Sequence, residues 1–169
     1  MSSNRIKLIN CDEKILELIL EGNEILSREL NLNIPNKWTE FGESVFKYSL
    51  DKIRDKPESK KWWAYLPVNI QTNTLIGSCG YKGEPNEKGI VEIGYEVAAE
   101  FRNQGFATEI AKLLIDQAFK NIEVNSVQAH TLADENASVK VLKKCKFEFI
   151  EELEDDEDGV IWKWELKKN

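Results

Sequence analysis

The stretch Val91-Glu92-Ile93-Gly94-Tyr95-Glu96-Val97-Ala98-Ala99-Glu100-Phe101-Arg102-Asn103-Gln104-Gly105-Phe106-Ala107-Thr108-Glu109 changes its periodicity partway along, and that change decides the fold. From Val91 to Val97, residues that favour strands (Val91, Ile93, Tyr95, Val97) alternate with Glu92, Gly94 and Glu96, the two-residue period of a strand with unlike faces. After Gly105 the apolar positions Ala107, Ile110, Ala111, Leu114, Ile115 and Ala118 recur at helical spacing, with Glu109, Lys112, Asp116 and Lys120 opposite. This predicts an amphipathic helix opening at Gly105. Between strand and helix, Arg102 to Ala107 contain no acid, although helix starts ordinarily set Asp or Glu against the positive end of the dipole. Backbone N–H groups left bare beside a cation suit an anion, with Gly105 admitting close approach and Ala107 keeping the next turn slim. The same letters also allow Asn103 to serve as an ordinary N-cap. The local sequence leaves both readings open.

A resemblance now becomes specific. Arg102-Asn103-Gln104-Gly105-Phe106-Ala107 is similar to the (Arg/Gln)-x-x-Gly-x-(Gly/Ala) motif of the GNAT superfamily of acetyl-CoA-dependent N-acetyltransferases, which also lies between a strand and a helix. Downstream, Asn136-Ala137-Ser138, the helix to Lys146 and Phe147 resemble that superfamily's second cofactor segment. Glu92-Ile93-Gly94-Tyr95 and Gly105-Phe106-Ala107-Thr108-Glu109 further resemble its Rim-like branch, which includes ribosomal-protein N-terminal acetyltransferases. The resemblance spans the chain in element order, while its specific motifs occupy the second half. It implies an α/β fold with a mixed, mostly antiparallel twisted sheet of about seven strands, helices on both faces and a splayed central strand pair.

Bulk properties narrow the functional classes. With 169 residues and 41% hydrophobic content the chain can bury one core, so residues 1–169 read as a single N-acetyltransferase domain. A net charge of −7 disfavours a nucleic-acid partner held by phosphate neutralisation and is compatible with an amine substrate. Cys11, Cys79 and Cys145 show neither disulfide pairing nor zinc spacing, as expected of thiols in a reducing, cytoplasmic setting. No stretch approaches the roughly 20 apolar residues of a membrane span, so no membrane partner is expected. Dimerisation is compatible with the sequence and leaves no mark in it.

In chain order, Arg5 to Ile9 predicts a strand, and Asp12 caps a helix that Gly22 bends or splits. Thr39 opens a second helix carrying Phe41, Val45 and Tyr48 on one stripe. The resemblance implies that these helices wall the acceptor groove, making Trp38 and Phe41 candidates to line it, although aromatic residues at such spacing ordinarily pack inward. Lys61 to Ile70 and Leu75 to Tyr81 form a hairpin, with Pro67 on a free side or at a bulge. Ser126 to Leu132 is a strand entered by a helical crossover, hence parallel to the Val91 strand. Phe147 to Leu153 and Val160 to Leu166 close the chain as a hairpin around the acidic turn Glu154 to Asp158. That turn lacks EF-hand spacing, so no metal is expected.

Acyl transfer to an amine requires that the reactants be placed, an oxygen be stabilised and protons be moved. The resemblance implies a cradle for the acetyl-CoA diphosphate in the N–H groups of Asn103, Gln104, Gly105, Phe106, Ala107 and Thr108, beside Arg102. It also implies an added-strand pairing of the cofactor arm with Tyr95, Glu96 and Val97, and a side-chain contact from Asn136. Val97 N–H is the natural donor to the acyl oxygen. Glu92 and Glu96 share the strand's polar face, and Glu92 is the candidate base, directly or through water. Relatives often carry a tyrosine as proton donor on the later helix, where this sequence has Lys143, which either stabilises the thiolate by its charge or reaches solvent; the Ser138 hydroxyl is the alternative donor and the candidate acid. His130, the lone histidine, lies on a central strand, where a hydrogen-bonded structural role is the ordinary expectation. The expected activity is transfer of acetyl from acetyl-CoA to a small amine or a peptide N-terminus in a ternary complex. The alternative is an acyl-CoA-binding sensor or inactive module without turnover.

Overall fold

The computed structural model describes residues 1–169. Its strands are β1 (Ile6–Asn10), β2 (Ala64–Asn69), β3 (Thr74–Leu75), β4 (Gly77–Tyr81), β5 (Ile90–Val97), β6 (Ser126–Leu132), β7 (Glu148–Asp155) and β8 (Gly159–Lys167). The helices are α1 (Glu13–Glu21), α2 (Asn23–Leu30), α3 (Glu43–Asp55), α4 (Phe106–Phe119) and α5 (Ala137–Lys144). All eight strands join one sheet in the order β1-β2-β4-β5-β6-β8-β7, with the two-residue β3 attached to β2. Every pairing is antiparallel except β5 with β6, because the α4 crossover returns the chain to run alongside the strand it left.

Two cores sandwich the sheet, as alternation along the strands requires. Val91, Ile93 and Val97 of β5 pack with Ile110, Leu114 and Ala118 of α4 and Leu142 of α5 in the larger one. Leu66 and Val68 of β2 face the other way and meet Leu16, Leu26, Phe46 and Leu50 of α1, α2 and α3. The three thiols are buried, and desolvation pushes each of them up, which leaves them protonated and inert.

Local chemistry sets the element ends. Asp12 caps α1 by accepting Ile15 N–H at 2.9 Å, and Gly22 at φ 125° divides α1 from α2. The helix expected from Thr39 starts only at Glu43, after Gly42 at φ 71°. The strand expected from Lys61 starts at Ala64, because Pro57–Trp62 winds into a 3-10 turn. Its return is broken at Ile76, whose N–H donates to Pro67 O, so the expected single strand becomes β3 and β4.

Candidate functional site

A gap between the two parallel strands makes the site. Pairing of β5 with β6 is confined to Ile90, Val91 and Glu92 against Ser126, Val127 and Gln128. Beyond that point β5 stays with β4 while β6 follows β8, so the strands part. Lys82 N–H donates to Glu92 O and Ala98 N–H to Ile76 O, so the even-numbered residues of β5 bond β4. By alternation Tyr95 and Val97 turn their backbone polar groups toward the gap. Glu96, expected on that edge, is turned to β4 instead, paired with Ser78.

A cleft of about 690 Å³ runs through the gap, bordered by Tyr95 and Ser138 on the α4 and α5 side and by His130, Lys82, Phe41 and Trp63 on the other. Gly94 keeps it open: a side chain built there would meet nothing nearer than Lys82 Cε at 3.7 Å and would project into the cleft.

At one end of the gap lies the turn into α4. Its N-cap is Gly105, at φ 83°, with no side chain capping the helix, so Asn103 is not the cap. Asn103 is itself left-handed at φ 61°. No amide from Asn103 to Thr108 donates to an acceptor in the chain. The first helical turn, expected to be free of acid, holds Glu109, but that carboxylate is engaged. Ser3 Oγ donates to it, and Arg5 donates from Nε at 2.9 Å and Nη2 at 2.7 Å. Arg5 also donates to Gln104 O at 3.0 Å, and its guanidinium sits 4.4 Å from the centre of the Phe106 ring. The helix start therefore presents bare amides and a neutralised acid. Arg102 bonds Val97 O at 3.0 Å and Glu40 at 3.2 Å, fastening this turn to the end of β5 and to the loop before α3.

On the opposite face of the sheet, Glu92 stands behind the cleft-lining pair Lys82 and His130. One of its oxygens lies 2.7 Å from Lys82 Nζ and 2.9 Å from His130 Nδ1. Burial pushes the Glu92 carboxyl up, but the hydrogen bond to His130 and the charge of Lys82 outweigh it and hold the group below its ordinary range. A carboxylate so held is a weaker base than a free one, which counts against direct proton removal by Glu92. Glu96 accepts from Ser78 Oγ at 3.0 Å and from Glu40 N–H at 3.2 Å.

The segment from Asn136, expected to meet the cofactor, is split by the fold. Asn136 caps α5 through Oδ1, accepting Val139 N–H at 3.0 Å, which leaves its amide NH2 group uncommitted. Ser138 lines the cleft. Lys143 is turned away, paired with Glu135 at 3.0 Å beside a separate groove of about 620 Å³ walled by Phe149, Trp162 and Trp164. Its ammonium is thus held at that groove and not among the residues lining the cleft. The Tyr95 side chain, singled out in the sequence only for its backbone, borders the cleft, and desolvation pushes its phenol up so that it stays protonated.

The candidates for the acceptor wall separate. Trp38 is 3% exposed, packs on Phe46 and donates to Asn23, whereas Phe41 is 47% exposed and lines the cleft with Val45 and Trp63. Glu40, Glu157 and Asp158 add carboxylates to the same walls. Sequence reasoning missed Arg5, Lys82 and Glu40, whose partners are remote in the chain. Nothing in the sequence set Arg5 apart from its neighbour Lys7 at the start of the first strand.

The family model described as "Acetyltransferase (GNAT) domain" matches residues 28–148. An uncharacterized N-acetyltransferase of Bacillus subtilis, YjdG, is 25% identical over 149 residues, covering 87% of this chain and 88% of that protein. Among solved structures, a chimera of the Vibrio cholerae spermidine N-acetyltransferase SpeG with hSSAT superposes with a TM-score of 0.70 at 15% identity, covering 97% and 96% of the two chains. The Salmonella typhimurium acetyltransferase that modifies the N-terminal serine of ribosomal protein L7/L12 gives 0.69 at 13% identity, covering 99% and 97%. At these identities the superpositions bear on the fold alone.

Proposed function

The chain belongs to the GNAT acetyltransferase family, and from that premise we propose that it transfers acetyl from acetyl-CoA to a primary amine of a small cationic molecule, a polyamine before a peptide N-terminus. The run of amides without chain acceptors from Asn103 to Thr108 carries the proposal, because it is the arrangement that binds a diphosphate. When bound, the co-substrate supplies an acetyl group already activated as a thioester.

The residues present fit that group. Gly105 brings no side chain to the cradle, Arg5 cancels the charge of Glu109 beside it, and Arg102 fastens the turn to the end of β5. The N–H and C=O groups of Tyr95 and the N–H of Val97 offer strand-like partners to an extended amide-bearing arm, and Asn136 offers its free NH2 group. Val97 N–H is the donor assigned to the acyl oxygen. Ser138, and beside it the protonated Tyr95 phenol, are the hydroxyl donors for a departing thiolate.

For the acceptor, Glu40, Glu157 and Asp158 around Phe41 and Trp63 favour a ligand with more than one positive charge and an aliphatic stem. Of the substrates named for the structural neighbours, spermidine and a protein N-terminus, the first suits this lining better. Proton removal belongs to the Glu92, Lys82 and His130 cluster on the same wall.

Thiol release from acetyl-CoA, measured with a panel of polyamines, monoamines and peptides, tests the proposal. The expected result is kcat/KM at least about tenfold higher for polyamines than for neutral-tailed monoamines, an advantage reduced by salt and by Glu157→Gln with Asp158→Asn. Thermal stabilisation by acetyl-CoA with no turnover on any amine would instead identify a sensor, and absence of stabilisation would remove the proposal altogether.

A further inference from the structure

The chain's single histidine stands at the point where β6 leaves β5. Its neighbour Ala129 is buried in the larger core, so by alternation His130 faces the α1 to α3 side of the sheet, where it lines the cleft. Nδ1 is 2.9 Å from Glu92 Oε1, an oxygen also held by Lys82. A carboxylate kept ionised by those contacts has only acceptors to offer, so Nδ1 must carry the hydrogen of that bond. In the neutral ring the lone pair then resides on Nε2.

We infer that His130 Nε2 is the proton acceptor for the incoming amine, and that Glu92 is a positioning residue that fixes the imidazole tautomer and stabilises its protonated form. The inference rests on the proposed transfer to an amine. An alkylammonium is almost wholly protonated at neutral pH and has no lone pair with which to attack. In the step assigned to His130, an N–H bond of the ammonium breaks and its electron pair remains on the amine nitrogen. The Nε2 lone pair takes the proton, giving an imidazolium that faces the Glu92 carboxylate. Charge is conserved, and no other reactant is required.

The surroundings suit a proton that must arrive and leave. Lys82, just beyond β4, opposes the protonated ring, while Glu92 on β5 and Asp155, Glu157 and Asp158 at the β7–β8 turn favour it. Lys163 of β8, in register with His130, is paired with Glu151 at 3.1 Å, which tempers its charge. Bond and charge partners thus enclose one nitrogen and leave the other to the cleft.

Because the histidine is unique, protein labelled with 15N-histidine gives one imidazole spectrum, readable with no amine or co-substrate present. The expected spectrum has Nδ1 protonated and Nε2 bare in the neutral form, and Glu92→Gln, whose amide can donate as well as accept, releases the ring into a mixture of both tautomers. In steady-state assays, His130→Gln should lower kcat by about 100-fold or more and abolish the acidic limb of the rate profile. Glu92→Gln should lower kcat with KM for the amine nearly unchanged, while thermal stabilisation by acetyl-CoA stays unchanged in both variants. A ring protonated on Nε2, or a His130→Gln enzyme with wild-type rate and pH profile, overturns the inference. If the wild type turns over no amine, the proposed function fails, and the ring spectrum still decides the tautomer on which the inference stands.

Discussion

Gly105 offers the sharpest test of the cradle, because its environment separates folding from binding. The residue sits at φ 83° and ψ 2°, where a Cβ costs about 1–2 kcal/mol relative to glycine. Only Arg5 Nη2, at 3.3 Å, lies within 4 Å of a Cβ built there, and that is the far end of a flexible side chain. Gly105→Ala and Gly105→Glu should therefore both fold, with melting temperatures lower by roughly 2–8 °C for a chain of this size. Their response to ligand should differ. In the wild type, acetyl-CoA at a hundred times its Kd adds about 2.7 kcal/mol, a rise of roughly 5–11 °C. Gly105→Ala should keep a reduced part of that rise. Gly105→Glu should lose it, since the new carboxylate supplies its own negative charge to the bare amides and repels a diphosphate. Differential scanning fluorimetry on the three proteins, with and without acetyl-CoA, makes the comparison. A Gly105→Glu protein that folds and keeps the wild-type rise would show that the amides of Asn103 to Thr108 are not the cradle.

Two further predictions concern the supports of the site. Asn136→Ala should lower the melting temperature by about 2–4 °C through loss of the α5 cap, and should also weaken acetyl-CoA binding. Asn136→Asp should restore the melting temperature but not the binding, and equal recovery of both would reduce Asn136 to a cap. The second prediction concerns Glu109: burial pushes its carboxyl up, but the bonds from Ser3 and Arg5 prevail and hold it below its ordinary range. The stability this supplies is complete above about pH 4.5 and disappears as pH falls through the lowered folded value. Glu109→Gln should therefore flatten the acid limb of the melting temperature against pH, and an unchanged limb would show that the latch on α4 contributes nothing.

The sequence by itself determined the elements whose cause is local. Alternation from Val91 to Val97, helical spacing from Ala107 to Ala118, the Asp12 cap and the break at Gly22 each depend on residues within a few positions. The uncapped turn into α4 was legible for the same reason: amides at a helix start lack partners unless a nearby side chain supplies one, and none there does. Boundaries slipped where a short polar segment could extend or fold back, at Thr39, Lys61 and Ile76. Only the tertiary structure decided which side chains meet. Arg5 reaches Glu109 across 104 residues, Glu40 reaches Arg102 across 62, and Glu92 reaches His130 across 38. It also put Trp38 in the core and Phe41 at the cleft, and turned Lys143 toward another groove. The physical reason is one of range. Periodicity and backbone preference act between chain neighbours, whereas these contacts come into being only when strand order and register bring distant segments side by side, and that is settled by the packing of the whole sheet between its two layers of helices.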